Sequence, residues 1–304
     1  MRPVAIVGFA HSELDASTPL DEVELTQAVC SEARAQVGLE QPQIGFTVSG
    51  SSDFLSGRPF SFVSALDGVG AFPPIQESHV EMDGAFALYE AWVRLQHGDI
   101  DTALVYAFGQ ASLGDLDRVL SLQLDPYWAA PLGLDEASVA GLQASAAGHR
   151  QAVRRVPLRD GAAAVILAAG DRAQALREQP AWIRGIDHRI DVSELSQRAI
   201  AELSSAAACA QALNLGDVEI ERAELHYSFE HQLPMLRRAI GLPVDVPVNL
   251  GATSRFDTYM VSGLLRLGEA AAAIWRGEAA STLAHASAGP AMQQNLLCHL
   301  GGTP

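Results

Sequence analysis

The chain has 304 residues, of which 48% are hydrophobic and 18% charged, and its formal net charge is -16. This composition supplies a large core and gives no sign of intrinsic disorder. The acidic balance argues against a nucleic-acid partner, because phosphate binding needs clustered Lys and Arg. No stretch approaches the ~18 consecutive apolar residues of a membrane span. We therefore expect a globular, cytoplasmic protein without a membrane span.

The three cysteines also favour a reducing compartment. Cys30, Cys209 and Cys298 are far apart and form no C-x-x-C motif. This spacing predicts buried free thiols and offers no frame for a metal ion. The first residues have no signal-peptide layout and are predicted to form the first strand.

The first half of the chain alternates apolar strands with amphipathic helices. Strands are predicted at 4–9, 46–49, 79–82, 102–108 and 162–169, and helices at 20–37 and 85–96. Residues 53–75 are rich in Gly, Pro and Ser and are predicted to be irregular, with one helical turn at 62–66. Residues 109–158, which Pro126 and Pro131 interrupt, are predicted to form a long excursion packed over the main body.

The second half repeats this pattern. Strands are predicted at 182–190, 222–226, 248–250, 283–285 and 296–300, and helices at 195–213, 231–240 and 259–275. Strands that alternate with helices predict parallel sheets wound by right-handed crossovers. We therefore predict a pseudo-duplicated α/β protein with an N-terminal half at 1–175 and a C-terminal half at 176–304.

Four segments resemble, in order, motifs of the thiolase superfamily. They are DGAAAVILA at 160–168, ELHYSF at 224–229, NLGA at 249–252 followed by SG at 262–263, and ASAGP at 286–290. The second segment resembles the E-x-N-E-A-F loop of thiolases and is closer to the E-L-H-D-C-F form of the sterol-carrier-protein-x branch. The resemblance implies a thiolase-like, five-layered αβαβα fold and association of the chain as a homo- or heterodimer.

The reactive residues of a thiolase are absent from these segments. Glu81 stands at the position of the nucleophilic cysteine, Ala286 at the second cysteine and Asp257 at the histidine. A carboxylate cannot replace a thiolate in forming a thioester intermediate. Acyl transfer through a cysteine is therefore excluded.

Two further strings, at 84–92 and 259–266, are similar to those of bacterial steroid side-chain aldolases, a branch of the thiolase-like lipid-transfer proteins. That resemblance implies retro-aldol cleavage of a β-hydroxyacyl-CoA on a steroid side chain, giving a ketone and propionyl-CoA or acetyl-CoA. It implies an OB-fold, zinc-ribbon partner protein, which would hold any zinc. The acyl-CoA thioester is then the substrate, and the chain itself needs no cofactor.

The residues that would carry this chemistry stand in two strand-end loops. Tyr227 and Tyr259 are the candidate acid–base pair, and His226 or backbone N–H groups are the candidate donors to the thioester enolate. Asp257 and Glu81 are candidate orienting groups. Each also has a structural interpretation: Asp257 as a helix N-cap, Glu81 as a buried carboxylate, and the others as hydrogen-bonded core residues.

Three functional hypotheses remain open. The first is the thiolase-fold aldolase, a carbon–carbon lyase rather than an acyltransferase. The second is a catalytically silent subunit that scaffolds an active paralogue or an acyl-CoA-binding partner, which the short chain favours. The third is an acyl-CoA or lipid-binding module without chemistry. Dinucleotide, P-loop, serine-hydrolase and zinc-protease motifs are absent from the sequence.

Overall fold

The computed structural model describes residues 1–56, 59–72 and 74–304. Nine strands in this part of the chain form one sheet: β1 Val4–His11, β2 Phe46–Gly50, β3 Glu77–Val80, β4 Thr102–Gly109, β5 Gly161–Ala169, β6 Ala181–Ile190, β7 Arg222–Leu225, β8 Ser281–Ala288 and β9 Gln294–Gly301. The α-helices are α1 Glu22–Ala35, α2 Asp53–Ser56, α3 Ser61–Val69, α4 Gly84–His97, α5 Leu116–Ser121, α6 Glu136–Ala146, α7 Gly170–Leu176, α8 Ser204–Ala212, α9 Gln232–Ala239 and α10 Ser262–Trp275. The predicted α/β class is confirmed.

The sheet is mixed, which corrects the expectation of parallel sheets. Strand β2 runs parallel to β3 and β4, and β7 runs parallel to β8. Strand β5 is antiparallel to β1 and β4, and β9 is antiparallel to β6 and β8. The physical reason lies in the connections. Strand β9 follows β8 through a short hairpin, which forces an antiparallel pair, and β5 follows the excursion rather than a single crossover helix.

The order of strands repeats within the sheet. The full order is β3-β2-β4-β5-β1-β6-β9-β8-β7, so β1, β5, β4 and β2 have the same neighbours and directions as β6, β9, β8 and β7. An isolated parallel bridge between Ala223 and Val248 occupies the place of β3 in the second set. Both first strands also carry a register shift, between Ile6 and Gly8 in β1 and between Ile183 and Gly185 in β6. The two halves of the sheet therefore have the same topology.

Helices α4 and α10 lie in a hydrophobic cluster that both halves share. Alternate residues of a strand point to opposite faces, so Val105 of β4 joins this cluster while its neighbour Tyr106 packs towards α1. Leu296 of β9 contributes to the same shared cluster from the second half. The opposite face of the first half packs on α1 and α3, and that of the second half on α8 and α9. The core thus lies on both sides of each half-sheet.

Three predicted elements differ from the structure. The helix predicted at 195–213 begins only at Ser204, because Leu203 has a left-handed backbone with a φ of 50° and the Asp191 carboxylate accepts the Ser205 N–H. The strand predicted at 248–250 is reduced to the bridge at Val248. The segment predicted to be irregular contains α2 and α3, while its positions 57, 58 and 73 lie outside the described residues.

The excursion joins the rest of the molecule through its last residues. The Val156 N–H donates to the Ser228 carbonyl at 2.9 Å, and the Arg159 N–H donates to the Asp257 carbonyl at 2.9 Å. The Arg155 and Arg159 guanidinium groups lie over the rings of Phe229 and Phe256. These contacts place α5 and α6 over the ends of the strands. Among the residues that the structure describes, no helix is long and apolar enough to cross a bilayer.

Candidate functional site

A cavity of about 260 Å³ lies where the excursion meets the starts of α4 and α10 and the hairpin between β8 and β9. Its lining residues come from all four segments and from the loop after β7. They are Glu81, Met82, Asp83, Leu120, Gln123, Leu124, Glu136, Ala140, His226, Ser228, Phe229, Gln232, Tyr259, Met260 and residues 287–294. Such a concave site with convergent polar groups is the usual place for a ligand.

His226 and Asp257 form a buried pair at the base of this cavity. His226 Nε2 lies 3.2 Å from Asp257 Oδ1, and the Ser287 N–H donates to His226 Nδ1 at 3.3 Å. A backbone N–H can only donate, so Nδ1 accepts, and the protonated Nε2 donates a hydrogen bond to Asp257 Oδ1. Both ring nitrogens of His226 are therefore occupied by protein groups.

Asp257 is held as a carboxylate. Burial by itself would raise its pKa, but the hydrogen bonds from His226 and from the hydroxyls of Ser228 and Ser262 lower the pKa to about 2. The Ser228 hydroxyl donates to Oδ2 at 2.7 Å and the Ser262 hydroxyl to Oδ1 at 2.9 Å. The helix that follows has its N-cap at Val261. Asp257 therefore binds the His226 ring and is not the N-cap of α10.

Tyr259 lines the cavity and remains protonated at neutral pH. Burial raises the pKa of its phenol well above the usual range, the hydrogen bond from Gln123 opposes this in part, and the carboxylates of Asp257, Glu81 and Asp83 raise the pKa further. The Gln123 amide donates to the phenol oxygen at 2.8 Å. Because the oxygen accepts from Gln123, its own proton is available to donate to a ligand. This phenol is suited to act as an acid.

Tyr227 occupies a different position from its candidate partner. It is half-buried, and the cavity-lining residues of the described chain include its neighbours His226 and Ser228 but not Tyr227 itself. The structure thus brings one of the two candidate tyrosines to the site.

Glu81 lies at the cavity rim, where it is more exposed than the buried-carboxylate interpretation expects. Its side chain is 43% exposed. Oε1 accepts the Asp53 N–H at 2.8 Å, and Oε2 lies 3.5 Å from His79 Nε2. His79 in turn contacts the Ser49 hydroxyl at 2.9 Å. A carboxylate in this position can exchange protons with a ligand.

Asp83 is a site residue that the sequence interpretation missed. Its carboxylate accepts the N–H groups of Ala85, Gly263 and Leu264 at 2.8, 2.9 and 3.2 Å, so one side chain caps the first turns of both α4 and α10. Burial raises the pKa of Asp83, opposed by His226 and by these three N–H groups. Its position directly before a predicted helix was a capping signal for α4, but nothing local indicated α10.

The cavity walls are tied together by a chain of buried amides. Gln232 accepts the N–H groups of Ser228 and Phe229, each at 3.1 Å, and donates to Gln143 at 3.0 Å. Gln143 donates at 3.1 Å to the carbonyl of Ala291 in the β8–β9 hairpin. The excursion, the loop after β7 and the hairpin are therefore fixed relative to one another.

The hairpin at residues 289–293 has an unusual backbone beside the cavity. Ala291 and Met292 have left-handed φ values of 52° and 55°, which non-glycine residues rarely adopt. Side chains bind its carbonyls: Arg198 binds those of Pro290 and Ala291 at 2.9 and 3.0 Å, and Asn295 binds that of Met292 at 2.9 Å. Rare backbone conformations of this kind concentrate at functional sites.

The three cysteines are not among the described residues that line the cavity. Burial raises the pKa of Cys30 and of Cys209 to about 12, and it raises that of Cys298 further. Ala286 is fully buried in β8 against Gly263. Within residues 1–56, 59–72 and 74–304, no three side chains of His, Cys, Asp or Glu are grouped so that they could hold a metal ion.

No protein-family model matches the sequence, and a search among curated proteins finds no relative.

Proposed function

We propose that this chain is an acid–base carbon–carbon lyase that cleaves a β-hydroxyacyl-CoA thioester into a ketone and a shorter acyl-CoA. The observation that carries the proposal is the position of Tyr259. Its protonated phenol lies in one cavity with the rim carboxylate of Glu81 and with the hairpin at 289–293. A retro-aldol reaction needs a base, donors to an enolate oxygen and an acid.

In the proposed reaction, Glu81 takes the proton of the β-hydroxyl group. The bond between the α and β carbons breaks, the hydroxyl-bearing carbon becomes the ketone, and the electron pair passes to the thioester as an enolate. Tyr259 then gives its proton to the α carbon. Proton transfer between Glu81 and Tyr259 through solvent restores the starting state. Burial supports the acid role of Tyr259, because the raised pKa keeps the phenol protonated at neutral pH, so it has a proton to give and no phenolate is present to act as a base.

Backbone N–H groups of the hairpin are the proposed donors to the enolate oxygen. Because three carbonyls of this segment are already bound by Arg198, Gln143 and Asn295, the hairpin is rigid before a substrate binds. A preorganised donor costs no rearrangement during the reaction. His226 is less suited to this role, since both of its ring nitrogens are occupied, and we assign it with Asp257 to supporting the cavity wall.

We further propose that the fold is thiolase-like, with five layers in the order αβαβα. The repeated strand order supports this, as does the shared cluster in which α4 and α10 lie between the two half-sheets. The outer helices α1 and α3, and α8 and α9, would form the two remaining helical layers. The steroid side chain as substrate rests on the sequence resemblance to the aldolase branch.

The same resemblance leads us to propose a dimer and an OB-fold, zinc-ribbon partner protein that helps to hold the CoA ester. Strand β3 ends the strand order of the sheet. An edge strand has backbone groups available for pairing with another chain. Phe60, which is exposed, lies near Phe62, which stacks on His79 of β3. Exposed aromatic surface beside an open edge favours association.

A catalytically silent subunit is the second candidate, and two observations favour it. Both nitrogens of His226 are bound by protein groups, and Tyr227 lies outside the cavity lining of the described residues. The cavity then contains fewer free acid–base groups than the tyrosine-pair hypothesis requires.

Co-expression with the proteins of neighbouring genes, followed by mass-spectrometric detection of propionyl-CoA or acetyl-CoA, separates the two candidates. Loss of a general acid typically costs ~10²–10⁴-fold in rate, so Tyr259→Phe should lower turnover by that factor. Tyr227→Phe is the matched control and should retain turnover near that of the unmodified chain. Full activity of Tyr259→Phe would contradict the assignment, and absence of product with every partner would establish the silent subunit instead.

A further inference from the structure

Arg266 is an arginine in the interior of the molecule whose hydrogen bonds all go to carbonyl groups. It belongs to α10 and is 2% exposed. Its Nε–H donates to the Leu225 carbonyl at 3.3 Å, and its Nη2 donates to the carbonyls of Phe256 at 3.0 Å and Ser254 at 3.4 Å. These three acceptors belong to two different segments, the end of β7 and the loop before α10.

The positions of the acceptors relate Arg266 to the buried pair. Leu225 immediately precedes His226, and Phe256 immediately precedes Asp257. A guanidinium group is planar and presents its donors in a fixed geometry. One rigid group therefore sets the separation of the two backbone segments from which His226 and Asp257 project. We propose that Arg266 is the positioning residue of the His226–Asp257 pair.

The energetics of Arg266 favour a geometric role over a purely stabilising one. Burial lowers the pKa of its guanidinium, although Glu224, Asp257, Tyr227 and Glu269 oppose this effect. Among the described residues, its buried Nη1 has no hydrogen-bond partner. An incompletely paired buried cation is costly. Arg266 fixes the spacing between the end of β7 and the loop before α10. An apolar side chain could not do so, because it has no donors for the carbonyl groups.

Other contacts hold the same segments, so the loss of Arg266 leaves them in place but less precisely spaced. The Asn249 amide bonds both backbone groups of Leu225, at 2.7 and 3.0 Å. Glu224 accepts the Gly251 N–H at 3.1 Å and Glu269 accepts the Thr253 hydroxyl at 3.1 Å. Neither of these acids contacts Asp257 or Phe256 through these bonds. The Ser228 hydroxyl also joins the two segments, through Asp257 Oδ2 at 2.7 Å, and the excursion binds the carbonyls of Ser228 and Asp257. Arg266 differs from these contacts because it binds the carbonyl directly before each member of the pair, and so it sets the spacing of His226 and Asp257.

The inference rests on the proposed function in one respect, that the His226–Asp257 pair supports the lyase cavity. Its test measures the histidine rings and does not require the chain to be an active enzyme. The probe is the ¹⁵N–¹H NMR spectrum of the histidine rings, with His226 assigned by His226→Gln. In the unmodified chain, Nδ1 of His226 should show the shift of an acceptor and Nε2 that of a protonated nitrogen. In Arg266→Met, the two nitrogens should move towards averaged shifts as the ring loses its fixed partner.

Arg266→Lys keeps the buried charge and covers the case in which the Met variant does not fold. It lacks the planar group, so it should show the same averaging. Arg177→Met is the matched control, because Arg177 also binds a backbone carbonyl, that of Val7, and lies over Trp275 away from the cavity. Its histidine spectrum should match that of the unmodified chain.

A His226 spectrum that is unchanged in a folded Arg266→Met or Arg266→Lys variant overturns the proposal, whether or not the chain is a lyase. If cleavage is observed, misplacement of about 1 Å can cost ~10²-fold in rate. Arg266→Lys should then lower kcat by that factor with little change in KM. An averaged His226 spectrum in a chain that never shows cleavage would leave the positioning role intact and remove only the proposed reaction.

Discussion

At the scale of single residues, the electrostatics of the site depend on Asp257. A carboxylate without compensation would be costly in this buried place, but His226 and two serine hydroxyls supply hydrogen bonds to both of its oxygens. The depressed pKa of Asp257 is the thermodynamic expression of those bonds. Its removal should therefore be visible in stability as well as in the geometry of His226.

Asp257→Asn should lower the free energy of unfolding by about 2 kcal/mol at pH 7, since the folded pKa is about 2 and the reference value is 3.8. A depressed folded pKa stabilises the protein above the unfolded pKa. That contribution is lost as the pH falls through about 4 towards 2. Urea unfolding at a series of pH values should show that the difference in the free energy of unfolding between Asp257→Asn and the unmodified chain shrinks over this pH range.

Asp245→Asn is the control for this measurement, because Asp245 is exposed in the same half of the chain. It should follow the unmodified chain at every pH. The difference in the free energy of unfolding between Asp257→Asn and the unmodified chain could instead stay constant from pH 7 to pH 2. That result would show that the stabilisation does not come from the hydrogen-bonded carboxylate.

At the scale of elements, the site exists because α4 and α10 begin at the same point. Asp83 caps both helices, and the approach is close: a Cβ on Gly263 would lie 2.5 Å from Asp83 Oδ1 and 2.5 Å from the Ala286 Cβ. The Gly84 N–H also donates to the Met260 carbonyl at 2.9 Å. Glycine is required at position 263 because any side chain there would separate the helix starts.

Gly263→Ala should destabilise the protein by about 1–3 kcal/mol, the usual cost of overpacking a close contact. Gly141→Ala is the matched change in α6, where an added Cβ meets nothing within 4 Å. It should stabilise the protein by ~0.5–1 kcal/mol, because alanine favours the helix. Chemical denaturation of the two variants gives the comparison. If Gly263→Ala and Gly141→Ala changed the free energy of unfolding by the same amount and in the same direction, the starts of α4 and α10 would not be closely packed.

At the scale of the whole molecule, the two halves of the sheet join through little backbone pairing and much shared core. Strands β1 and β6 pair only at Ala5 with Trp182 and at Ile6 with Ala181 in the described chain. The hydrophobic cluster around α4 and α10, by contrast, contains residues of both halves. Unfolding of either half exposes this common surface, so we expect the halves to unfold together.

Urea unfolding followed by circular dichroism and by tryptophan fluorescence should therefore give coincident single transitions. Leu264→Ala, in the shared cluster, should lower the free energy of unfolding by ~2–5 kcal/mol without splitting the transition. Leu25→Ala, in the outer cluster of the first half, is the comparison. If unfolding showed two separate transitions and Leu25→Ala shifted only one of them, the halves would be independent domains.

Local patterns in the sequence determined the α/β class and most element positions. The apolar runs that form β1, β4 and β5, and the periodic runs that form α4 and α10, depend on residues close in the chain. The expectation that cysteine chemistry is absent also came from the sequence alone, since it rests on the residues at the motif positions, and it stays a prediction. His226, Asp257 and Tyr259 were singled out from two loop motifs, and their functional roles remain predictions.

Tertiary structure alone decided the directions of β5 and β9, which of the two candidate tyrosines lines the cavity, and the pairing of Asp83 with α10. It also decided the partners of Arg266 and of the buried amides. Each of these depends on residues far apart in sequence, whose contacts no local spacing encodes. The sequence by itself therefore determined the α/β class and most of the elements that the chain forms. Packing between the two halves decided which side chains meet in the cavity, because the cavity is made only where their helices begin together.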